Sequence, residues 1–247
     1  MRKIAISLSK GGVGKTTTAI NLAAGLARAG KRVLLLDTDT QSQAAAALGV
    51  VPDSGLAEVL REEIEPSDAI TPARDGLWLL SSGSGLAGAK RVIARKEYGA
   101  EHTLRQILQP LDGQYDYALI DMAPGWDSLS VACLFYSEEV LSPVSLEALT
   151  LRGLADFVER LKEIQEYHPG IKLSYVLPTF LDGRVRKSRE ILLQLHKYFG
   201  QVLVKPIRYN VSLSEAAGRG KSIFEYAPKS PGAEDYQTLT EKVVSDE

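Results

Sequence analysis

The chain has 247 residues, 45% hydrophobic and 24% charged, which excludes a disordered polymer and leaves room for one large buried core. Its one cysteine, Cys133, excludes an internal disulfide and a multi-thiolate metal centre, and points to a reducing, cytoplasmic setting. The net charge of −2 hides a contrast: residues 180–230 hold ten basic and four acidic side chains, +6, against −8 for the remainder, so one face suited to a polyanion is expected.

Along the chain, the apolar run Ile4–Leu8 predicts a buried strand that leads straight into a glycine-rich turn and so is no signal peptide. The turn is Ser9-Lys10-Gly11-Gly12-Val13-Gly14-Lys15-Thr16-Thr17. Strand, glycine-rich turn and helix start in that order form a phosphate cradle, with backbone N–H groups and the helix dipole turned toward an anion. Lys15 is placed to reach terminal phosphates and Thr16 to offer its hydroxyl to Mg²⁺. Ser9 replaces the usual first glycine of such loops, and Lys10 adds a cation inside the turn. Ile20, Ala23, Ala24 and Ala27 recur at helical spacing until Gly30. Val33–Leu36 follows as a central strand of a parallel sheet, expected beside the first, and runs into Asp37-Thr38-Asp39-Thr40-Gln41. Carboxylates leaving the C-terminal end of a central strand lie where open α/β sheets bind ligands. Alone they would equally suit a strand-ending turn with Asp as helix cap; the neighbouring cradle favours binding.

Residues 50–110 are less informative, with a strand expected at Leu77–Leu80 and helices near 56–61, 86–95 and 103–108. Arg91, Arg95 and Lys96 suit a solvated helix face. Tyr117–Asp121 is again an apolar strand ending in an acid, the second half of the phosphate-loop nucleotidase pattern, in which the acid holds a magnesium-bound water. A helix capped at Asp127 or Ser128 and a strand at Val140–Val144 follow, then a long amphipathic helix over 147–167 with Leu154, Phe157, Val158, Leu161 and Ile164 on one stripe. Ile171–Leu177 predicts a strand broken by Pro178. The next helix has its core stripe at Ser188, Ile191, Leu192, Leu195, Tyr198 and Phe199. Arg186, Lys187 and Arg189 crowd its first turn, where the dipole disfavours cations. Residues set against local stability suit an anionic partner, although a solvated helix start remains the competing reading. Val202–Val204 predicts a last strand, and the acidic helix Glu234–Val243 a packing element rather than a membrane anchor. No run approaches the roughly 18 apolar residues of a membrane span.

Three stretches together resemble the ParA/Soj-type partition ATPases, the deviant branch of phosphate-loop ATPases that also contains MinD. They are Lys10-Gly11-Gly12-Val13-Gly14-Lys15-Thr16-Thr17 with the branch's signature lysine, Asp37-Thr38-Asp39-Thr40-Gln41, where the family usually has Pro in place of Thr40, and the strand end Asp121–Pro124. The likeness extends through Asp182-Gly183-Arg184, Asn210–Ala216 and Pro228–Ala233, nearly the whole chain. It implies a single P-loop NTPase domain over 1–247, a mostly parallel twisted sheet with helices on both faces and no separate N-terminal DNA-reading domain.

The resemblance also implies roles. ATP would be bound by residues 10–17, with Lys10, Lys15 and Asp39 as catalytic groups. Lys10 would cross to the partner's phosphates in an ATP-dependent homodimer, and Asp39 would position the attacking water. Thr16, Asp37 and Asp121 would serve Mg²⁺. Arg208 and Asn210 would lie at the base, Arg208 standing where Pro is usual. Partners would be non-specific DNA, met by Arg184, Arg186, Lys187, Arg189, Arg219 and Lys221, and a ParB-like or adaptor protein that stimulates hydrolysis. The ATP-bound form would be nucleoid-associated. A MinD-like membrane-cycling ATPase and a metabolic P-loop ligase are the rival readings.

Overall fold

The computed structural model describes residues 1–247, the side chain of Ala148 excepted. The apolar runs become strands and the 3.6-periodic runs helices. β1 is Arg2–Ile6, α1 Lys15–Arg28, β2 Val33–Asp37 and α2 Gln43–Leu48. The middle third supplies α3 (Leu56–Leu60), β3 (Ile70–Arg74), β4 (Leu77–Leu80), α4 (Leu86–Ala94), α5 (Thr103–Ile107) and β5 (Tyr117–Asp121). There follow α6 (Ser128–Tyr136), β6 (Glu139–Ser145), α7 (Ala148–Tyr167), β7 (Lys172–Thr179), α8 (Arg186–Phe199), α9 (Val211–Gly218), α10 (Ile223–Tyr226) and α11 (Pro231–Ser245).

The seven strands form one sheet in the order β3-β4-β2-β5-β1-β6-β7, parallel except for the antiparallel edge strand β3. Every residue of β2, β5 and β6 is buried, because helices cover both faces. Side chains alternate between two cores. Leu34, Leu36, Ala118 and Ile120 face one layer built from α3 to α8. Val33, Leu35, Tyr117 and Leu119 face the other, built from α1, α2 and α9 to α11. On α7, Leu154, Phe157 and Leu161 are buried as their spacing predicts, each burial contributing about 2 kcal/mol.

Caps fix the helix ends. Asp127 accepts from the Ser130 N–H at 2.8 Å, and Ser230 caps α11 with Pro231 at its first position. Gly25 marks the closest approach of two helices: a Cβ there would stand 2.1 Å from Thr240 Oγ1 of α11. The final helix buries Tyr236, Leu239 and Val243, so it packs as its pattern predicts.

Several expectations change. β1 and β2 are not neighbours, because β5 inserts between them and pairs with both. The acid next to the glycine-rich loop is therefore Asp121 as much as Asp37. β7 continues through Pro178 to Thr179, since an edge strand tolerates a missing N–H. Val202–Val204 forms no strand, only a single bridge from Leu203 to Val176. Tyr198 is exposed, beyond the buried stripe of α8. β3, α2 and α10 are additional to the predicted elements, the last two being too short to show a period.

Candidate functional site

The loop between β1 and α1 opens at the C-terminal end of the sheet. Gly12 and Gly14 adopt φ of +72° and +91°, which a side chain resists, and nothing lies within 4 Å of a Cβ built on Gly11 or Gly12. The loop is thus bare backbone around an open space. α1 begins without a side-chain cap and without an acid in its first turn, so its free N–H groups and dipole face that space uncompensated. Gly11, Gly12, Gly14, Lys15, Thr16, Thr17, Asp39, Gln43, Pro124 and Phe180 line a cavity of about 370 Å³.

Lys15 is buried and its ammonium donates to the Lys10 carbonyl at 2.9 Å, which curls the loop around it. Burial lowers its pKa, while Asp121 and Asp39 pull the other way. Lys10 points back along its own chain: Nζ donates to Thr150 Oγ1 at 2.8 Å and meets Glu147 Oε2 at 3.1 Å, at the start of α7. Thr150 also pairs with Ser145 at 2.8 Å.

The carboxylates divide the work. Asp37 is buried, and its two oxygens accept the N–H groups of Asp39 at 2.9 Å and Ala44 at 3.0 Å, so it ties down the loop after β2. Burial raises its pKa to about 6. Asp39 is half-buried at the cavity wall and accepts the Gln41 N–H at 3.0 Å. Asp121 stands in register with Asp37 on the neighbouring strand. Both of its oxygens are buried without a hydrogen-bond partner. Burial, then the charge of Asp37, push its pKa up to about 8, against the opposing pull of Thr16 and Lys15. An unpartnered buried carboxylate beside a hydroxyl, under an anion cradle, fits a divalent cation that takes one or two protein oxygens and completes its shell with phosphate and water. Among the described residues no group of three or more His, Cys, Asp or Glu side chains forms a closed metal cage.

A second cavity of about 430 Å³ adjoins the first and shares Gly14, Thr17 and Phe180 with it. Ile207, Leu213, Ala217 and Tyr236 give it an apolar wall, and Asn210 a polar one. Asn210 caps α9 through Oδ1, which accepts the Ser212 N–H at 2.9 Å, while its Nδ2 is buried and unpartnered. The N–H donors of that amide are therefore unused within the chain. Arg208 also lines this cavity, but its guanidinium is held by Asp235 at 2.8 Å and Glu234 at 2.9 Å. It contributes wall rather than a free donor, which narrows the expected contact with a base.

The basic candidates do not form one cluster. Arg184, Arg186, Lys187 and Arg189 are exposed on the turn before α8 and on its first turn. Arg184 pairs with Asp182 and Arg186 with Glu190, each at 2.8 Å. Arg219 and Lys221 are exposed just beyond α9, in the opposite helical layer. Pro124, the last residue of the Asp121–Pro124 motif, lines the first cavity, and residues that motifs did not single out also belong to the site: Thr150 on Lys10, Gln43 at the first cavity, and Phe180 at the junction. Thr150, Gln43 and Phe180 carried no sequence signal, since each reaches the site only through the fold.

The model of the AAA domain family matches residues 1–173. The chromosome-partitioning ATPase Soj of Thermus thermophilus is 40% identical over 99% of this chain and 96% of its own length. The sporulation initiation inhibitor protein Soj of Bacillus subtilis is 35% identical over 98% of each. Among solved structures, cobyrinic acid a,c-diamide synthase from Mycobacterium smegmatis, with bound ATP analog and magnesium, superposes with a TM-score of 0.85 at 32% identity, over 99% of this chain and 94% of that one. With the phosphate loop, the in-register acids and this full-length likeness, the chain belongs to the Soj/ParA family of partitioning ATPases within the ParA/MinD superfamily.

Proposed function

We propose that this chain binds Mg–ATP across the two joined cavities, dimerises around it, and in that state holds DNA without sequence preference, hydrolysis releasing it when a ParB-like or adaptor protein docks. The observation that carries the reading is Asp121: a buried carboxylate with two unpartnered oxygens, close to Lys15 and Thr16, is suited to a cation. Thr16 and Asp121 would hold Mg²⁺, with Asp37 keeping the adjoining loop in place. The ion supplies charge neutralisation for the transferred phosphoryl group. Gly11, Gly12, Val13, Gly14 and Thr17 cradle phosphate, Lys15 neutralises it, and Asp39 orients the attacking water from the cavity wall. Asn210 donates to the base, and Arg208 shapes that wall. Lys10 crosses to a second copy once it leaves Glu147 and Thr150. The chromosome-partitioning Soj relative supports a role in moving DNA or another cargo; the proposed setting is the cytoplasm, with the ATP-bound form on the nucleoid.

DNA would be met through phosphates by Arg184, Arg186, Lys187 and Arg189, with Arg219 and Lys221 as a second group. The superposed diamide synthase makes an amide-forming enzyme the rival reading. A membrane-cycling relative is the other rival, and no helix is long and apolar enough to cross a membrane. The test is ATP-dependent dimerisation by light scattering together with DNA retention at rising salt. Wild type should dimerise with Mg–ATP and bind DNA with steep salt weakening. Lys10→Ala should bind nucleotide yet stay monomeric, and Arg186→Glu with Arg189→Glu should dimerise yet lose DNA. Normal dimerisation of Lys10→Ala, or full DNA retention by the charge-reversed variant, would overturn those assignments.

A further inference from the structure

We propose that Phe180 makes the site prefer a nucleotide over a bare polyphosphate, by offering the sugar a surface at the junction of the two cavities. The inference deepens the nucleotide reading above and rests on it. The cavities share only Gly14, Thr17 and Phe180, so whatever joins a phosphate chain in one to a base in the other passes over these residues. Phe180 is the one aromatic ring among the three. Its side chain is not buried for packing: the residue is 43% exposed. A Cβ built on Gly14 would lie 3.7 Å from the Phe180 Cζ, so the ring tip stands beside the end of the phosphate loop, where a side chain at Gly14 would meet it.

The backbone shows how firmly the ring is placed. Phe180 has φ of +57°, a left-handed conformation that a bulky residue rarely adopts. Both neighbours are tied. Thr179 Oγ1 donates to the Val13 carbonyl at 2.9 Å inside the protein, linking the end of β7 to the glycine-rich loop. On the other side, the Leu181 N–H donates to the Ile207 carbonyl at 3.0 Å and the Leu181 carbonyl accepts the Tyr209 N–H at 3.0 Å, linking the segment to the base cavity. Such outliers persist where the surroundings over-determine them, and here they fix a ring between the two halves of a binding site. The apolar C–H face of a ribose packs on an aromatic face, whereas a phosphate chain gains nothing from it.

Isothermal titration of the full chain with Mg–ATP and with Mg–tripolyphosphate tests the idea. Phe180→Asn removes the ring but suits the left-handed backbone, so the fold is kept. It should weaken ATP roughly tenfold or more and leave tripolyphosphate within about twofold, a preference lost at about 1.4 kcal/mol per tenfold. Phe180→Tyr should restore the wild-type ratio. Equal weakening of both ligands would show that the ring only shapes the loop, and no change in either would leave it without a role; each overturns the proposal while sparing the nucleotide site. If Lys15→Ala instead kept wild-type affinity for ATP, the nucleotide reading would fall, and this proposal with it.

Discussion

Replacing Asp121 by Asn should make the ligand-free protein less sensitive to alkali. Asp121 lies buried beside Asp37 on the adjoining strand, and burial with that neighbouring charge pushes its pKa up to about 8. An unfolded aspartate titrates near 3.9. Between these values the native state keeps a proton that the unfolded chain has released, so the stability contribution is full below about pH 4 and is lost as pH rises toward 8. Asp37 acts with the same sign, but its window closes near pH 6. Between pH 6 and pH 8 the slope belongs to Asp121, at most about 1.4 kcal/mol per pH unit for one proton. The stability of Asp121→Asn relative to wild type should therefore grow by roughly 2 kcal/mol across that window. Urea unfolding with a chelator, without nucleotide, at pH 6, 7 and 8 measures it, and comparison at each pH cancels most other titrating groups. Mg–ATP should reverse the order, since only wild type keeps the full cation site. An advantage that stayed constant or shrank from pH 6 to pH 8 would refute the reasoning.

Gly25→Ala should lower the unfolding free energy by about 1–3 kcal/mol, because its methyl meets Thr240 at the crossing of α1 and α11. Combining it with Thr240→Ser should not rescue it fully, since Thr240 Oγ1 is the nearest atom and remains. Thr179→Val removes the buried hydrogen bond to Val13 and should cost about 1 kcal/mol in chemical denaturation while weakening ATP in titration calorimetry. Arg208→Ala breaks the contacts with Asp235 and Glu234 at a half-exposed site. A loss of about 1 kcal/mol in stability is expected, with at most a small change in ATP affinity; a loss of nucleotide affinity much larger than the loss of stability would return Arg208 to the base.

The site was legible wherever chemistry is written in local order. Lys10 to Thr17 had to follow a strand and open a helix, and each acid ended an apolar run, so their placement followed from neighbours in sequence. Strand order did not, because β5 reaches its position between β1 and β2 only through pairing of residues far apart. That is why the closeness of Asp37 and Asp121 emerged only in three dimensions. The same separation hid the fate of cations. Arg208 looked free until α11 brought Asp235 and Glu234 beside it, and Lys10 until α7 brought Thr150. β3 escaped notice because Pro72 and Arg74 interrupt its apolar alternation, and α2 because six residues rich in alanine show no face. Phe180 belongs to no motif; its importance lies in a backbone angle that residue type does not reveal.

The two ends of the sheet bear on how copies of this chain can meet. At one edge β3 carries Pro72 and a register shift between Pro72 and Arg74. At the other, β7 carries Pro178, and the bridge from Val176 to Leu203 with the Ile207 N–H on the Pro178 carbonyl engages part of its outer side. Prolines and irregular edges discourage an incoming strand. Lateral growth of the sheet from chain to chain is therefore disfavoured at both edges. The proposed pairing at the loop-bearing end, where the glycine-rich turn opens, would therefore be kept apart from the strand-by-strand stacking that ends in fibres.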